Sequence, residues 1–167
     1  AIREAGYAIM VEGYFDLAQV VQAGVAPVVA SCGTAVSEQQ VRLLKRFTSK
    51  VIVSFDPDPA GGSAAARTGE LFISEGFQVN VASLAEGEDP DKYILKNGIS
   101  GYSEKLRTSQ PYLEYLMDRE AGQRDLSKGN HQRAFLSRMR LVVARVPDAA
   151  TRDKLADRLA HKATSLE

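Results

Sequence analysis

Apolar positions fall into two regimes along this chain: up to about residue 98, short apolar runs alternate with segments of helical spacing, and from Gly101 onward the helical spacing is continuous. YAIMVE at 7–12, PVVA at 27–30, the run Val51, Ile52, Val53 and Phe55, and the alternating FQVNVASL at 77–84 read as four strands. The third run is nearly uninterrupted by polar residues, as expected for a strand covered on both faces of a parallel sheet. Between the strands, Phe15, Leu17, Ala18, Val20 and Val21 mark a helix ending near Gly24. Ser37 caps a second over 38–46, and the alanines at 64–66 open a third that runs to about Glu75 and stops at Gly76. The order β-α-β-α-β-α-β predicts an α/β fold: a mainly parallel four-stranded sheet with right-handed crossovers and helices on both faces.

The second regime reads as an all-helical subdomain, PYLEYLMDREAG, HQRAFLSRMRLVVARV and DAATRDKLADRLAHKA. Phe135, Met139, Val142, Val143 and Val146 form one stripe, and Leu155 and Leu159 form another beyond the break at Pro147, both spaced for helix packing. The expected organisation is therefore an α/β domain over 1–98, a helical subdomain over 99–164, and a vector-derived tail at 165–167. The segment 123–130, QRDLSKGN, is the expected flexible connection.

In a sheet of this kind the carboxyl ends of the strands share one rim, which collects Glu12, Ser31 and Asp56. Pro57 and Pro59 hold Asp56 and Asp58 extended and two residues apart, so their side chains project to one side and invite a cation. Strands one and three flanking the reversal of strand order would bring Glu12 beside them. A turn-and-cap role is the competing reading of the pair, but a turn needs only one such aspartate. Gly61 and Gly62 let backbone approach a ligand closely, and the amino end of the following helix favours phosphate oxygens. Ser31, Gly33 and Thr34 offer phosphate-binding groups, although a small-residue turn before the Ser37 cap accounts for them equally well. The acidic AEGEDPD at 85–91 belongs to the same rim. Asp89-Pro90-Asp91 fits a helix start, and for Asp89 capping and metal ligation are equally good readings.

The composition of 167 residues with 44% hydrophobic suits one well-buried core, or one core with a small helical appendage. Net charge is zero but uneven: residues 1–99 hold 8 Lys and Arg against 12 Asp and Glu, while 100–167 hold 13 against 9. Cys32 is the single cysteine, and His131 and His161 lack partners at ligand spacing, which argues against disulfides and zinc. No apolar run approaches bilayer length and the amino terminus lacks the order of a signal peptide, so the expectation is a cytoplasmic protein without a membrane partner.

EGYFD at 12–16, SCGTA at 31–35, FDPDPAG at 55–61 and GEDPD at 87–91 together resemble the Toprim domain of bacterial replicative DNA primases. The resemblance covers residues 1–98, and RMRLVVARVPDAATRDKLADRLA resembles the helical subdomain that closes the primase polymerase core. It implies a DNA-directed RNA polymerase of the primosome, a nucleotidyltransferase making short primers on a single-stranded DNA template from ribonucleoside triphosphates. By the same resemblance Glu12, Asp56 and Asp58 are the catalytic residues and hold Mg²⁺, for which Mn²⁺ can substitute, with Asp16, Asp89 and Asp91 completing the metal patch. Where the family mostly writes glycine between the two aspartates, this chain has Pro57. The zinc module, the amino-terminal half of the polymerase core and the helicase-binding tail are expected to be absent here, so the replicative helicase would be met through a domain outside the chain. Two alternatives are a non-catalytic metal- and nucleotide-binding fragment and a phosphatase with Asp56 as nucleophile.

Overall fold

The computed structural model of the chain describes residues 1–84 and 87–164. The tail expected at 165–167 and Glu86 of the acidic cluster lie outside the described residues. Helix α1 (Ile2–Ala5) ends at Gly6, whose φ of 76° turns the chain into β1 (Ala8–Val11). Helix α2 (Tyr14–Gln22), β2 (Val28–Ala30), α3 (Glu38–Lys45) and β3 (Lys50–Val53) follow. Helix α4 (Pro59–Ser74) leads to β4 (Gln78–Val81), then come α5 (Pro90–Arg107), β5 (Gln110–Pro111), α6 (Tyr112–Gly122), α7 (Gly129–Ala144) and α8 (Ala149–Thr164). No helix among the described residues is long and apolar enough to cross a membrane.

The strands lie in the order β2-β1-β3-β4-β5, the first four parallel and β5 antiparallel to β4. Strands β1 and β3 are neighbours, Ile9 paired with Ile52 and Met10 with Val53, so the order reverses where the sequence expected it. The sheet has five strands rather than the expected four, and the chain beyond Gly101 is not helical throughout. Strand β5 is two residues long and carries no period to read, and its Pro111 is tolerated because it sits at an edge. The Asn80 amide also donates to the Ser109 carbonyl at 3.0 Å, tying the approach to β5 onto β4.

Side-chain alternation along the strands splits the interior into two cores. Ala8, Met10, Val51, Val53, Val79 and Val81 face one side, where α3, α4 and the helices α6, α7 and α8 cover them. Ile9, Val11, Val28 and Ala82 face the other, covered by α2 and α5. Helix α5 is bent at Gly98, with φ 68° and ψ 179°, and both its halves serve that second core: Tyr93 and Ile94 before the bend, Tyr102 and Leu106 after it.

Helix α4 is the shared wall between sheet and helical segment. The Tyr112 ring lies so close to it that a Cβ at Gly69 would stand 2.2 Å from the ring, and the Tyr112 hydroxyl donates to the Ala66 carbonyl at 2.7 Å. One turn of contact further, Glu70, only 8% exposed, accepts two hydrogen bonds from Arg138 and an ion pair from Arg145 at 2.6 Å. The Arg138 hydrogen bond holds the Glu70 carboxyl below the usual carboxylate range despite burial. Removing the acceptor leaves two guanidiniums facing a desolvated wall, so Glu70→Ala should cost about 2 kcal/mol in denaturant unfolding. Arg145 is mostly exposed, and Arg145→Ala should cost under about 0.5 kcal/mol in the same measurement.

Candidate metal centre on the carboxyl rim

Pairing of β1 with β3 brings Glu12, which follows β1 directly, together with Asp56, three residues beyond the end of β3. The Asp56 backbone N–H donates to Glu12 Oε1 at 3.1 Å, so Glu12 is anchored to the end of the neighbouring strand. The first turn of α4 closes over this pair. A Cβ on Gly61 would stand 2.2 Å from the Asp56 carbonyl oxygen and 2.9 Å from Glu12 Oε1, and only glycine allows that approach.

The two proline-flanked aspartates do different work. Asp58 is extended, with φ −74° and ψ 168°, as Pro59 dictates, and its carboxylate turns onto the Gly61 N–H at 2.6 Å to cap α4. Asp56 Oδ1 is buried with no hydrogen-bond partner among the described residues. Burial is the main cause that lifts the Asp56 carboxyl to about 6, reinforced by the charges of Glu12, Asp16, Asp89 and Asp58.

Asp16 sits in the first turn of α2 and reaches back to the Gly13 N–H at 3.0 Å. Burial raises its pKa, opposed by that hydrogen bond, raised again by Asp89 and opposed by the Asp91 backbone N–H. It therefore joins the starts of α2 and α5. Glu12 is raised as well, first by burial, against the pull of the Asp56 N–H, and then by Asp58 and Asp16.

Asp89 caps α5, one of the two roles the sequence allows it. It accepts from the Lys92 N–H at 2.8 Å and pairs with the Lys92 ammonium at 2.7 Å. Burial pushes its carboxyl up, but the Lys92 bonds outweigh it and hold the pKa below the ordinary value. Asp91 follows in the first turn of α5, where its charge favours the helix dipole.

Ser31 is buried, its hydroxyl donating to the Glu12 carbonyl at 3.3 Å, and the Thr34 hydroxyl donates to the Ser31 carbonyl at 3.1 Å. Gly61 and Gly62 lie in the first turn of α4, which Asp58 caps and Pro59 starts five residues before the alanines where the sequence placed its opening. The Gly61 N–H is taken by Asp58, and Gly62 faces α6, where an added Cβ would stand 2.6 Å from the Arg119 guanidinium.

Two cations near the rim escaped the sequence reading. Arg67 of α4 lines a cleft together with Glu12, Ser31, Gly33, Thr34 and Thr68, and Arg119 of α6 donates to the Ser63 hydroxyl at 2.8 Å. Arg67 had a signal, being the one charge in the first eleven residues of α4 after a pair of acids. Arg119 had none, because its contact spans 56 residues.

Among the described residues, no three His, Cys, Asp or Glu side chains converge closely enough to hold a metal ion between them. The donor set nevertheless fits a hard cation: a buried carboxylate oxygen without a donor, beside a second carboxylate, both with raised pKa. Mg²⁺ takes one or two carboxylates and completes its shell with water and phosphate, which an open rim permits.

A fold with two carboxylates meeting where a parallel sheet reverses its strand order defines a class, and the Toprim-like family model matches residues 9–94. The chain belongs to the Toprim-like family. Its relatives are DNA primases. That of Synechococcus elongatus is 32% identical over 168 residues, which is 97% of this chain and 24% of the relative. Among solved structures, a primase domain from Pseudomonas aeruginosa superposes with a TM-score of 0.86 at 26% identity, covering 99% of this chain and 54% of that one. A primase catalytic domain bound to single-stranded DNA gives 0.83 at 28% identity, covering 93% and 51%. A second family model, the DnaB-helicase binding domain of primase, matches residues 113–164. The helicase-binding portion was expected outside the chain, and this match places a segment so described across α6, α7 and α8. The chain spans about a fifth to a quarter of the curated relatives it matches, 19%, 24% and 23% for three of them.

Asp56 binds a proton in the folded state that the unfolded chain has already lost, so metal-free stability should fall as pH rises from about 4 to 6. Asp56→Asn should flatten that fall and, screened by solvent, leave the variant about 1 kcal/mol more stable at pH 7.5 in chelator, read by thermal unfolding. Asp58→Ala should instead cost about 1 kcal/mol by losing the α4 cap, while Asp58→Asn, which caps as well, should cost close to nothing in the same assay.

Proposed function

We propose that this chain is the metal-bearing and helical portion of a bacterial DNA primase, a nucleotidyltransferase that builds short RNA primers on single-stranded DNA from ribonucleoside triphosphates. One observation carries the reading: Asp56, with a buried and unpartnered carboxylate oxygen, lies against Glu12 at the strand-order reversal of a Toprim-like sheet. In this reading residues 1–98 carry the catalytic carboxylates, and residues 99–164 brace them and offer the replicative helicase its contact through the segment 113–164.

Glu12 and Asp56 would hold Mg²⁺, or Mn²⁺ in its place, with Asp58 and Asp16 at the edge and Asp89 and Asp91 supplying background charge. When bound, the divalent cation supplies activation of the attacking 3′-hydroxyl and neutralisation of the leaving pyrophosphate. The chain's own part is positional. The Asp56 N–H fixes the Glu12 carboxylate, Gly61 lets α4 close on both, and the Asp58 cap keeps the amino end of α4 in register with the rim. Mutual repulsion in a half-buried site keeps these carboxylates poised for a cation.

The isolated chain is expected to make little or no primer, because most of the length of its relatives lies outside it. A protein carrying this chain together with the remainder of the relatives' polymerase core should synthesise primers with Mg²⁺ or Mn²⁺, and Glu12→Gln or Asp56→Asn should each reduce synthesis at least roughly a hundredfold. Unchanged synthesis in both variants, with the fold intact, would overturn the assignment.

A further inference from the structure

The parallel ladder between β1 and β3 runs out just below the rim. The Ser54 N–H donates to the Met10 carbonyl at 2.8 Å, and the next step of a regular ladder would join the Asp56 N–H to the Glu12 carbonyl. That carbonyl instead accepts from the Cys32 N–H at 2.9 Å and the Ser31 hydroxyl at 3.3 Å, and the Asp56 N–H turns to the Glu12 side chain. Ser54, one residue past β3, is thus the last to donate regularly toward β1 before the backbone leaves for the carboxylates. Its side chain is fully buried, and so is Tyr102, whose hydroxyl donates to Ser54 Oγ at 3.1 Å from the half of α5 beyond the bend at Gly98. Burial pushes the Tyr102 hydroxyl up to about 12, opposed by the Ser54 bond and raised further by the charge of Asp16, so it remains a donor at neutral pH. An apolar pair of the same shapes would fill this place about as well, because a buried hydroxyl pair adds little net stability. What the pair adds is direction: it fixes one height of Ser54 against α5.

We propose that Tyr102 is a positioning residue for the carboxylate pair: through Ser54 it fixes the point at which the backbone leaves the ladder, and so sets Asp56 against Glu12 in the arrangement that takes a divalent cation. The inference rests on the metal-holding role proposed for those two carboxylates and deepens it. Only Phe55 separates Ser54 from Asp56, so a shift of Ser54 passes to the Asp56 N–H almost undiminished. The direct tie between the two carboxylate residues is a hydrogen bond of 3.1 Å, in a place where like charges push apart. A fixed strand end resists that repulsion where the single bond does not. Tyr102 acts on the cation only through the backbone, from the far side of the sheet end.

The test uses the 167-residue chain with Tyr102→Phe and Ser54→Ala, alone and together. Each single change should weaken Mn²⁺ binding in calorimetric titration roughly tenfold. The double change should weaken it no further, because both remove the same bond. In metal-free protein, Tyr102→Phe should speed hydrogen exchange of the Asp56 amide roughly tenfold more than that of Ile9, whose N–H donates to the Pro27 carbonyl near the start of β1. A role in packing alone would lower the thermal midpoint, speed both amides alike and leave Mn²⁺ affinity at the wild-type value, and that result overturns the proposal. Additive losses in the double variant overturn the route through Ser54. Ser54→Ala decides the same questions if Tyr102→Phe does not fold. A wild-type chain that takes up no Mn²⁺ overturns the metal reading, and amide exchange then decides the positioning by itself.

Discussion

The hydrogen bond from the Asp56 N–H to Glu12 Oε1 is where the local and the global structure meet. It exists only because β1 and β3 pair in parallel, and that pairing exists because the crossover through β2 and α3 returns the chain to the other side of β1. A slip of one residue in the β1 register would exchange Met10 with Ile9 between the two cores and carry Glu12 away from Asp56. Correct burial of β1 and correct placement of the rim are thus one requirement. The cost appears in the raised pKa values of Glu12, Asp16 and Asp56, like charges held together in a half-buried place.

Much of this was legible in the chain itself, for reasons that also explain what was not. Four strands announced themselves because β-branched runs bounded by glycine and proline have few other homes, and Ser37 with Gln40 forms the capping box their spacing implied. The β1–β3 adjacency followed from topology, since ligand rims of such sheets sit at a reversal. Strand β5 and helix α1 were invisible because two and four residues carry no period. The differing tasks of Asp56 and Asp58 were hidden for another reason. Pro57 and Pro59 fix backbone direction, but which carboxylate turns inward depends on where the Gly61 N–H ends up, and α4 decides that. Asp89 was undecidable on its own. The Lys92 ammonium reaches its carboxylate through a side-chain rotamer, which no spacing rule supplies.

The helical segment is less separate from the sheet than the change in periodicity suggests. Phe135, Met139, Val142 and Leu159 share one core with Val51, Val53 and Val79, and Tyr102, past the bend at Gly98, is fully buried in the opposite core with its hydroxyl donating to Ser54. Composition marks a boundary near residue 98 because periodicity changes there. Packing continues across it.

Helix α4 gives that continuity a mechanical form. Its sixteen residues make a shaft about 24 Å long, pinned at one end to the carboxylates by Gly61, in the middle by the Tyr112 ring against Gly69 and by Glu70 to Arg138 of α7 and Arg145 just past its end, and at the far end by Lys45, whose ammonium donates to the carbonyls of Glu75 and Gly76. A shaft held at three stations cannot slide at one and rest at the others. Helix α4 thus touches, along one rigid length, an arginine of α7, the Tyr112 ring of α6 and, at its tip, the Glu12 carboxylate.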